Sequence, residues 1–293
     1  MRLCPESRRW TELLARHTRL TVTVSSVRPV SGGCIHRALR IDTPEGAFFA
    51  KENAAPNLAL FETEARSLGV LAGAGAVRVP RVVGAFAEGE RAYLVLEYIE
   101  MGPTPPGGMA VLGEALACLH GVSAEAFGWA ETNFIGSTPQ ANPWSGEWVA
   151  FIRDHRLQPM ADRLAGKGVH FRHWNDVMEN VDTVIGGFPV VPSLLHGDLW
   201  GGNAGFTCTG EPLIYDPASY YGHAETDLAL TELFGGFSRE FYDAYFSVRP
   251  REDGYARRRE LYNLYHILNH ALLFGGGYAA QAQHLIDRLA RWK

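Results

Sequence analysis

Apolar positions recur at helical spacing near the start of the chain, then alternate as strands do, then return to helical spacing for most of the second half. From Pro5 to His17 the spacing predicts a short helix with Pro5 in its first turn and Trp10, Leu13 and Leu14 on one face. Thr21-Val22-Thr23-Val24 alternates like a half-buried strand, and Gly46-Ala47-Phe48-Phe49-Ala50-Lys51 predicts another that ends on a lysine. Leu58 to Ala72 is helical, with Phe61, Ala65, Leu68 and Leu71 or Ala72 aligned. Val79 to Phe86 and Ala92 to Ile99 predict strands joined by a Glu88-Gly89-Glu90 turn, and the second is apolar throughout, as a central strand should be. It runs into Glu100 to Gly108, rich in Pro and Gly, the best domain boundary in the chain. Beyond it helices are predicted over Met109 to His120, Trp144 to Leu164, His173 to Ile185, Thr226 to Phe234, Glu240 to Phe246, Tyr255 to Phe274 and Tyr278 to Trp292, with Asn133 to Gln140 as a loop. The expectation is an α+β chain in two parts: residues 1–100 with a twisted, mainly antiparallel sheet and helices, and residues 101–293 mainly helical.

Composition narrows the function without naming it. A length of 293 residues fits about two domains. With 46% apolar and 20% charged residues the chain can bury a large core without staples. A net charge of -5 and no basic run argue against nucleic acid and anionic membrane as partners. No apolar run approaches a membrane span, and the first ten residues lack the apolar stretch of a signal peptide. Cys4, Cys34, Cys118 and Cys208 are scattered, which argues against zinc and a disulfide framework and for a reducing cytoplasm.

The candidate chemistry centres on Leu195-His196-Gly197-Asp198-Leu199-Trp200-Gly201-Gly202-Asn203, followed by Ile214-Tyr215-Asp216-Pro217. Asp198 and Asn203 are five residues apart, and Asp216 ends a short apolar run eighteen residues after Asp198. Phosphoryl transfer needs a carboxylate beside the attacking hydroxyl and oxygen ligands for the Mg²⁺ that neutralises the phosphates. A His-x-Asp-x-x-x-x-Asn segment, a short hairpin and an Asp supply them. Asp198 would orient or deprotonate the hydroxyl, and Asn203 and Asp216 would hold metal.

The N-terminal half offers the nucleotide side. Ser31, Gly32, Gly33 and Cys34 form a small-residue loop in which backbone can come close to phosphate. Lys51 follows Gly33 by eighteen residues, where a strand lysine would reach the α- and β-phosphates. Glu64 is the expected partner of Lys51, because Leu68 and Leu71 place its side of the helix inward. Backbone groups at Glu97, Tyr98 and Ile99 would be free to hydrogen-bond adenine. Asp227, eleven residues after Asp216, would brace the catalytic loop or serve as an acid at a helix N-terminus. His196 should fix loop geometry. For His223, His266 and His270 a structural role is the default, since His266 and His270 lack the acid of a His-Glu-x-x-His metal pair.

Taken together, these residues resemble the fructosamine kinase (ketoamine-3-kinase) family within the protein-kinase-like phosphotransferases. The resemblance covers nearly the whole chain. It rests on Ser31 to Ile35, Asn133 to Gln140, Leu194 to Asn203, Asp216 to Asp227, Phe234-Gly235-Gly236-Phe237 and Leu264 to His270. The His-Gly-Asp-x-x-x-x-Asn core is shared with aminoglycoside and choline phosphotransferases, whereas Tyr221-Gly222-His223 and Tyr265-His266 to His270 are more particular. The resemblance implies a bilobal kinase-like fold with ATP between the lobes. It implies ATP- and Mg²⁺-dependent phosphorylation of the 3-hydroxyl of a ketosamine, a sugar adduct on a small amine or a protein lysine, after which the adduct falls apart. By the match Asp198 is the catalytic acid-base, Asn203 and Asp216 are the metal ligands, and Lys51 with Glu64 positions phosphate. Trp200, His223 and Glu225 would line the substrate pocket. His36 stands where the family usually has Asn, and Ala224 where Arg is common, so the phosphate loop and that substrate loop depart from the pattern. Cys34 matches a loop cysteine that links two chains reversibly in some relatives. An isolated thiol is expected here, in a monomer or weak homodimer. The alternatives are another small-molecule kinase of the same superfamily and a non-catalytic nucleotide-binding protein. The absence of a dense acidic cluster disfavours a polycationic aminoglycoside. The presence of Lys51, Asp198, Asn203 and Asp216 together disfavours the non-catalytic reading.

Overall fold

The computed structural model describes residues 4–30, 36–187 and 189–292. The chain separates into two compact units, Met1–Thr104 with Gly205–Tyr215, and Pro105–Ala204 with Asp216–Lys293.

The first unit opens with α1, Pro5–His17. Cys4 caps it through its sulfur, which accepts from the Ser7 amide at 3.3 Å, and Pro5 spends no orphan donor at the first turn. Strands β1 (Ser26–Pro29), β2 (Arg37–Thr43) and β3 (Gly46–Ala54) lead to α2, Leu58–Ala74. Helix α2 stops at Gly75, whose φ of 64° suits the left-handed turn there. Strands β4 (Val82–Glu88), β5 (Arg91–Glu97) and β6 (Met101–Gly102) follow. Five of these strands form one antiparallel sheet in the order β1-β2-β3-β5-β4. Trp10, Leu13 and Leu14 of α1 pack against Leu39, Ile41, Ala50, Tyr93 and Val95, all buried. Each of the Leu, Ile and Val side chains contributes about 1.5–3 kcal/mol on burial.

Two strand expectations shift. Thr21 to Val24 stays unpaired, because the Val24 amide donates to Thr11 Oγ1 at 3.0 Å and pairing with β2 begins only at Ser25. Arg78 pairs not with the large sheet but with Leu213, so β4 starts after Pro80 rather than at Val79.

In the second unit α3 is Gly108–Leu119. Asn133 to Gln140, expected as a loop, is a hairpin of β7 (Asn133–Ile135) and β8 (Thr138–Gln140) turning at Gly136. Helix α4 covers only Trp148–Ile152, because Ser145 is bridged to Phe127 and keeps the preceding chain extended. A π-helical turn, Arg153–Leu157, joins it to α5, Gln158–Ala165. Next come α6 (Trp174–Ile185) and β9 (Ser193–Leu194). The hairpin of β10 (Ala204–Thr207) and β11 (Pro212–Ile214) pairs through β10 with β6, which groups residues 205–215 with the first unit. Strand β12 (Tyr221–Gly222), α7 (Glu225–Leu233), α8 (Arg239–Val248), α9 (Tyr255–Phe274) and α10 (Tyr278–Leu289) complete the chain. Gly113 lets α3 meet α8 backbone to backbone, since a Cβ there would lie 2.2 Å from the Phe241 carbonyl oxygen. Helix α9 is buried on nearly all sides from Leu261 to Asn269, as the central helix of a bundle is. Among the described residues no helix is long and apolar enough to cross a membrane.

Candidate active site

In the second unit, β9 runs into the loop that carries Asp198. Gly197 turns that loop at φ 83°, and a Cβ there would sit 2.1 Å from the Ala218 carbonyl oxygen, so the position requires glycine. His196 is buried, and its Nδ1 accepts from the Asp198 amide at 3.3 Å, which holds the turn from within. Asn203 Nδ2 donates to the Asp198 carbonyl at 2.8 Å and lies 3.3 Å from Asp198 Oδ2. With its nitrogen turned onto Asp198, Asn203 keeps Oδ1 as the atom for a cation. Asp216 follows β11 in the left-handed region, φ 58°, a conformation that costs a non-glycine residue of order 1 kcal/mol and is held only by its surroundings. Its neighbours supply that hold: the Ala218 amide donates to the His196 carbonyl at 2.9 Å and the Leu195 amide to the Tyr220 carbonyl at 3.0 Å.

Asp227, the third residue of α7, accepts the amides of His196 at 2.7 Å and Gly197 at 2.9 Å. Both expectations for it therefore hold: it is an acid in a first helical turn and it clamps the loop. His120 at the end of α3 lies 3.2 Å from Asp227 through Nε2 and 2.8 Å from the Tyr245 hydroxyl through Nδ1. Nε2 donates to the carboxylate, which leaves Nδ1 to accept from tyrosine.

The electrostatics follow from burial and crowding. Desolvation, then the charges of Asp216 and Asp227, raise the Asp198 carboxyl to about 7, against the pull of the Asn203 amide. Burial alone would raise Asp227 too, but the hydrogen bonds it accepts from His120 and the Gly197 amide hold it below the usual range. Desolvation drives His223 and His266 down to about 3, so both are neutral.

The oxygen donors at Asp198, Asn203 and Asp216 suit a hard cation such as Mg²⁺, which keeps waters and phosphate oxygens among its ligands. Among the described residues no three His, Cys, Asp or Glu side chains gather as a self-sufficient metal site. Trp200 is 40% exposed, lies over Gly202 and meets Phe234 edge-on with ring centres 6.1 Å apart. His223 and Glu225 belong to a buried network of their own. Arg258 grips both Glu225 oxygens at 2.6 and 2.7 Å. The Tyr262 hydroxyl accepts from Trp148 Nε1 at 3.0 Å and lies 2.8 Å from His223 Nδ1. His270 Nδ1 is 2.8 Å from the His266 carbonyl, to which it donates.

In the first unit Lys51 on β3 is buried and pairs with Glu64 on α2 at 2.8 Å. The phosphate-loop candidates Ser31, Gly32, Gly33 and Cys34 lie outside the described residues. Glu97 and Tyr98 are less available than expected, because their amides donate to Arg81 and Ala47 at 2.9 and 3.1 Å and extend the sheet's pairing. Among the described residues the Ile99 amide makes no such bond.

Sequence reasoning missed His120 and the buried polar set Asn133, Gln140, Asn142 and Arg156. Their signal was faint: polar residues in a supposed loop or on a helix read as solvated until tertiary structure buries them.

A family model described as Fructosamine kinase matches residues 7–291. A curated relative named "Probable ketoamine kinase" in Synechocystis sp. is 44% identical over 268 residues, covering 90% of each chain. "Protein-ribulosamine 3-kinase, chloroplastic" of Arabidopsis thaliana is 38% identical over 275 residues, 92% of this chain and 83% of the relative. A crystal structure named as a fructosamine-3-kinase from Haemophilus somnus superposes with a TM-score of 0.89 at 25% identity, covering 96% of both chains.

Proposed function

The chain belongs to the fructosamine kinase family, and from that premise we propose that it transfers phosphate from ATP to the 3-hydroxyl of ketosamines. The phosphorylated adduct then decomposes and returns the free amine. The observation that carries the reading is the Asp198 carboxylate, with the Asn203 amide turned onto it and Asp216 held nearby in a constrained conformation. The protein-kinase-like α+β fold agrees with it: an antiparallel sheet bearing the Lys51–Glu64 pair, and a helical unit bearing the acids.

The roles follow from the chemistry of each group. Asp198 Oδ accepts the proton of the sugar hydroxyl, or orients that hydroxyl toward the γ-phosphorus. Asp227 keeps the His196 and Gly197 amides in place, so the Asp198 carboxylate has a fixed origin. Lys51, oriented by Glu64, binds the α- and β-phosphates, and the backbone at Ile99, whose amide is not drawn into the sheet's pairing, receives adenine. Asn203 Oδ1 and the Asp216 carboxylate would hold Mg²⁺, which when bound neutralises charge on the phosphates. Trp200 provides a wall for the sugar, and His223 with Glu225 supports the loop behind it. A cytoplasmic location fits the free thiols of Cys4, Cys118 and Cys208.

The test is ADP release by the purified protein with Mg-ATP on ribulose-lysine, fructose-lysine and a panel of aminoglycosides and amino alcohols. Turnover on a ketosamine that disappears in Asp198→Asn is expected, and the two sugars rank themselves. Turnover confined to the panel would overturn the ketosamine assignment.

A further inference from the structure

Arg156 is 1% exposed and sits inside the π-helical turn Arg153–Leu157, a helix irregularity that often marks a functional site. Its guanidinium lies over the Tyr220 ring at 4.2 Å and near the Phe151 ring at 4.6 Å. Nη1 donates to the Ala141 carbonyl at 2.8 Å and Nη2 to Asn142 Oδ1 at 2.5 Å. A guanidinium can only donate. Asn142 must therefore show it oxygen, and its Nδ2 is directed the other way, donating to Asn133 Oδ1 at 2.8 Å and to the Gln140 carbonyl at 3.0 Å.

The sense of the next amide is then determined. Asn133 Oδ1 is taken, also by Gln140 Nε2 at 2.8 Å, so Asn133 Nδ2 points outward and donates to the Ser219 carbonyl at 2.7 Å. Gln140 Nε2 reaches the Ala218 carbonyl at 3.2 Å, while its oxygen accepts from the Tyr265 hydroxyl at 2.7 Å. These two carbonyls follow directly on Asp216-Pro217, and Asp216 is left-handed, a region L-residues rarely enter. The catalytic loop grips the same segment from its other side through His196 and Leu195.

We propose that Arg156 is a positioning residue for Asp216. As the donor-only end of a relay through Asn142, Asn133 and Gln140, it sets which way each amide points and so holds the Asp216 carboxylate ready for the divalent cation. The inference rests on the reading of Asp216 as a metal ligand and deepens it.

The experiment measures Mn²⁺ binding in the presence of ADP, by the EPR signal of free Mn²⁺, with no turnover involved. Asn142→Asp keeps an acceptor for Arg156 but cannot donate to Asn133, so it reverses the relay while retaining the buried partner. Arg156→Lys keeps the charge and loses the fork. Both should weaken Mn²⁺ binding about tenfold, the scale of outer-sphere partners of a metal ligand. Binding of metal-free ADP should stay near wild type, and Asn142→Asp should remain folded with a lowered thermal midpoint, since Asn142 Nδ2 also donates to the Glu131 carbonyl at 3.0 Å. Wild-type Mn²⁺ affinity in folded Asn142→Asp, with affinity lost in Asp216→Asn, would overturn the relay and leave the site reading intact. Unchanged affinity in Asp216→Asn itself would overturn the metal-ligand reading and the relay with it. Should Arg156→Lys not fold, Asn142→Asp decides.

Discussion

Asp198 and Gly197 show how much a single position carries. Asp198 sits where burial and two further carboxylates press its proton on, at about 7, so it ionises more readily once positive charge enters the site. Asp198→Asn keeps the shape and loses the proton acceptor. Its kcat/KM on the best ketosamine should fall by about 10²- to 10⁴-fold, while nucleotide affinity, read by ADP titration, stays the same. Gly197 is constrained twice, by φ 83° and by the Ala218 carbonyl 2.1 Å from where a Cβ would stand. Gly235 has a similar φ of 74° with open space around it. Gly235→Ala should therefore cost about 1 kcal/mol in urea unfolding, the strain alone. Gly197→Ala should cost clearly more and abolish turnover, because relief of its clash moves the segment that bears Asp216.

At the scale of elements, two helices each point one acid at a candidate site group. Helix α7 sends Asp227 to the amides of His196 and Gly197. Asp227→Ala leaves both buried donors unpaired, at about 1–3 kcal/mol each. It should lower the thermal midpoint and reduce kcat more than KM, since the loop that carries Asp198 loses its anchor. Helix α2 sends Glu64 to Lys51. Glu64→Gln keeps an acceptor but removes the charge facing buried Lys51, so it should lower stability and raise KM for ATP several-fold, with KM for the ketosamine unmoved. A parallel rise in both KM values would remove the phosphate-positioning role from this pair. The hairpin β7–β8 works in the same way, as a rigid holder of amide side chains rather than a loop.

For the molecule as a whole, pH is the lever. His223 and His266 are buried and neutral, with pKa values near 3 against about 6.5 in an unfolded chain. The unfolded state thus binds protons that the native state refuses, and stability rises with pH through this range. It is fully present above about pH 6.5 and is lost as pH falls toward 3, by about 2 kcal/mol for each histidine at pH 5. Urea unfolding between pH 8 and 5 should show this loss, and His266→Gln should flatten the slope. Both histidines lie in the unit that carries Asp198, so its near-UV signal should fade at a higher pH than that of Trp10 in the other unit.

By itself the sequence determined what local physics can encode. Helix α1 was legible from Pro5 and the Trp10-Leu13-Leu14 face, and the Lys51–Glu64 pairing from the inward side of α2. The Asp198–Asn203 spacing marked a tight turn in which the two groups meet, because such a turn needs them close together in the chain. Tertiary structure alone decided what depends on contacts between distant residues. It spent the Glu97 and Tyr98 amides on Arg81 and Ala47 and closed Arg258 onto Glu225. It also buried Arg156 and His120. Polar side chains carry no hydrophobic period to announce their burial. Their side-chain partners, from Asn142 for Arg156 to Tyr245 for His120, are set by how the chain packs, and only the packed chain brings donor and acceptor together.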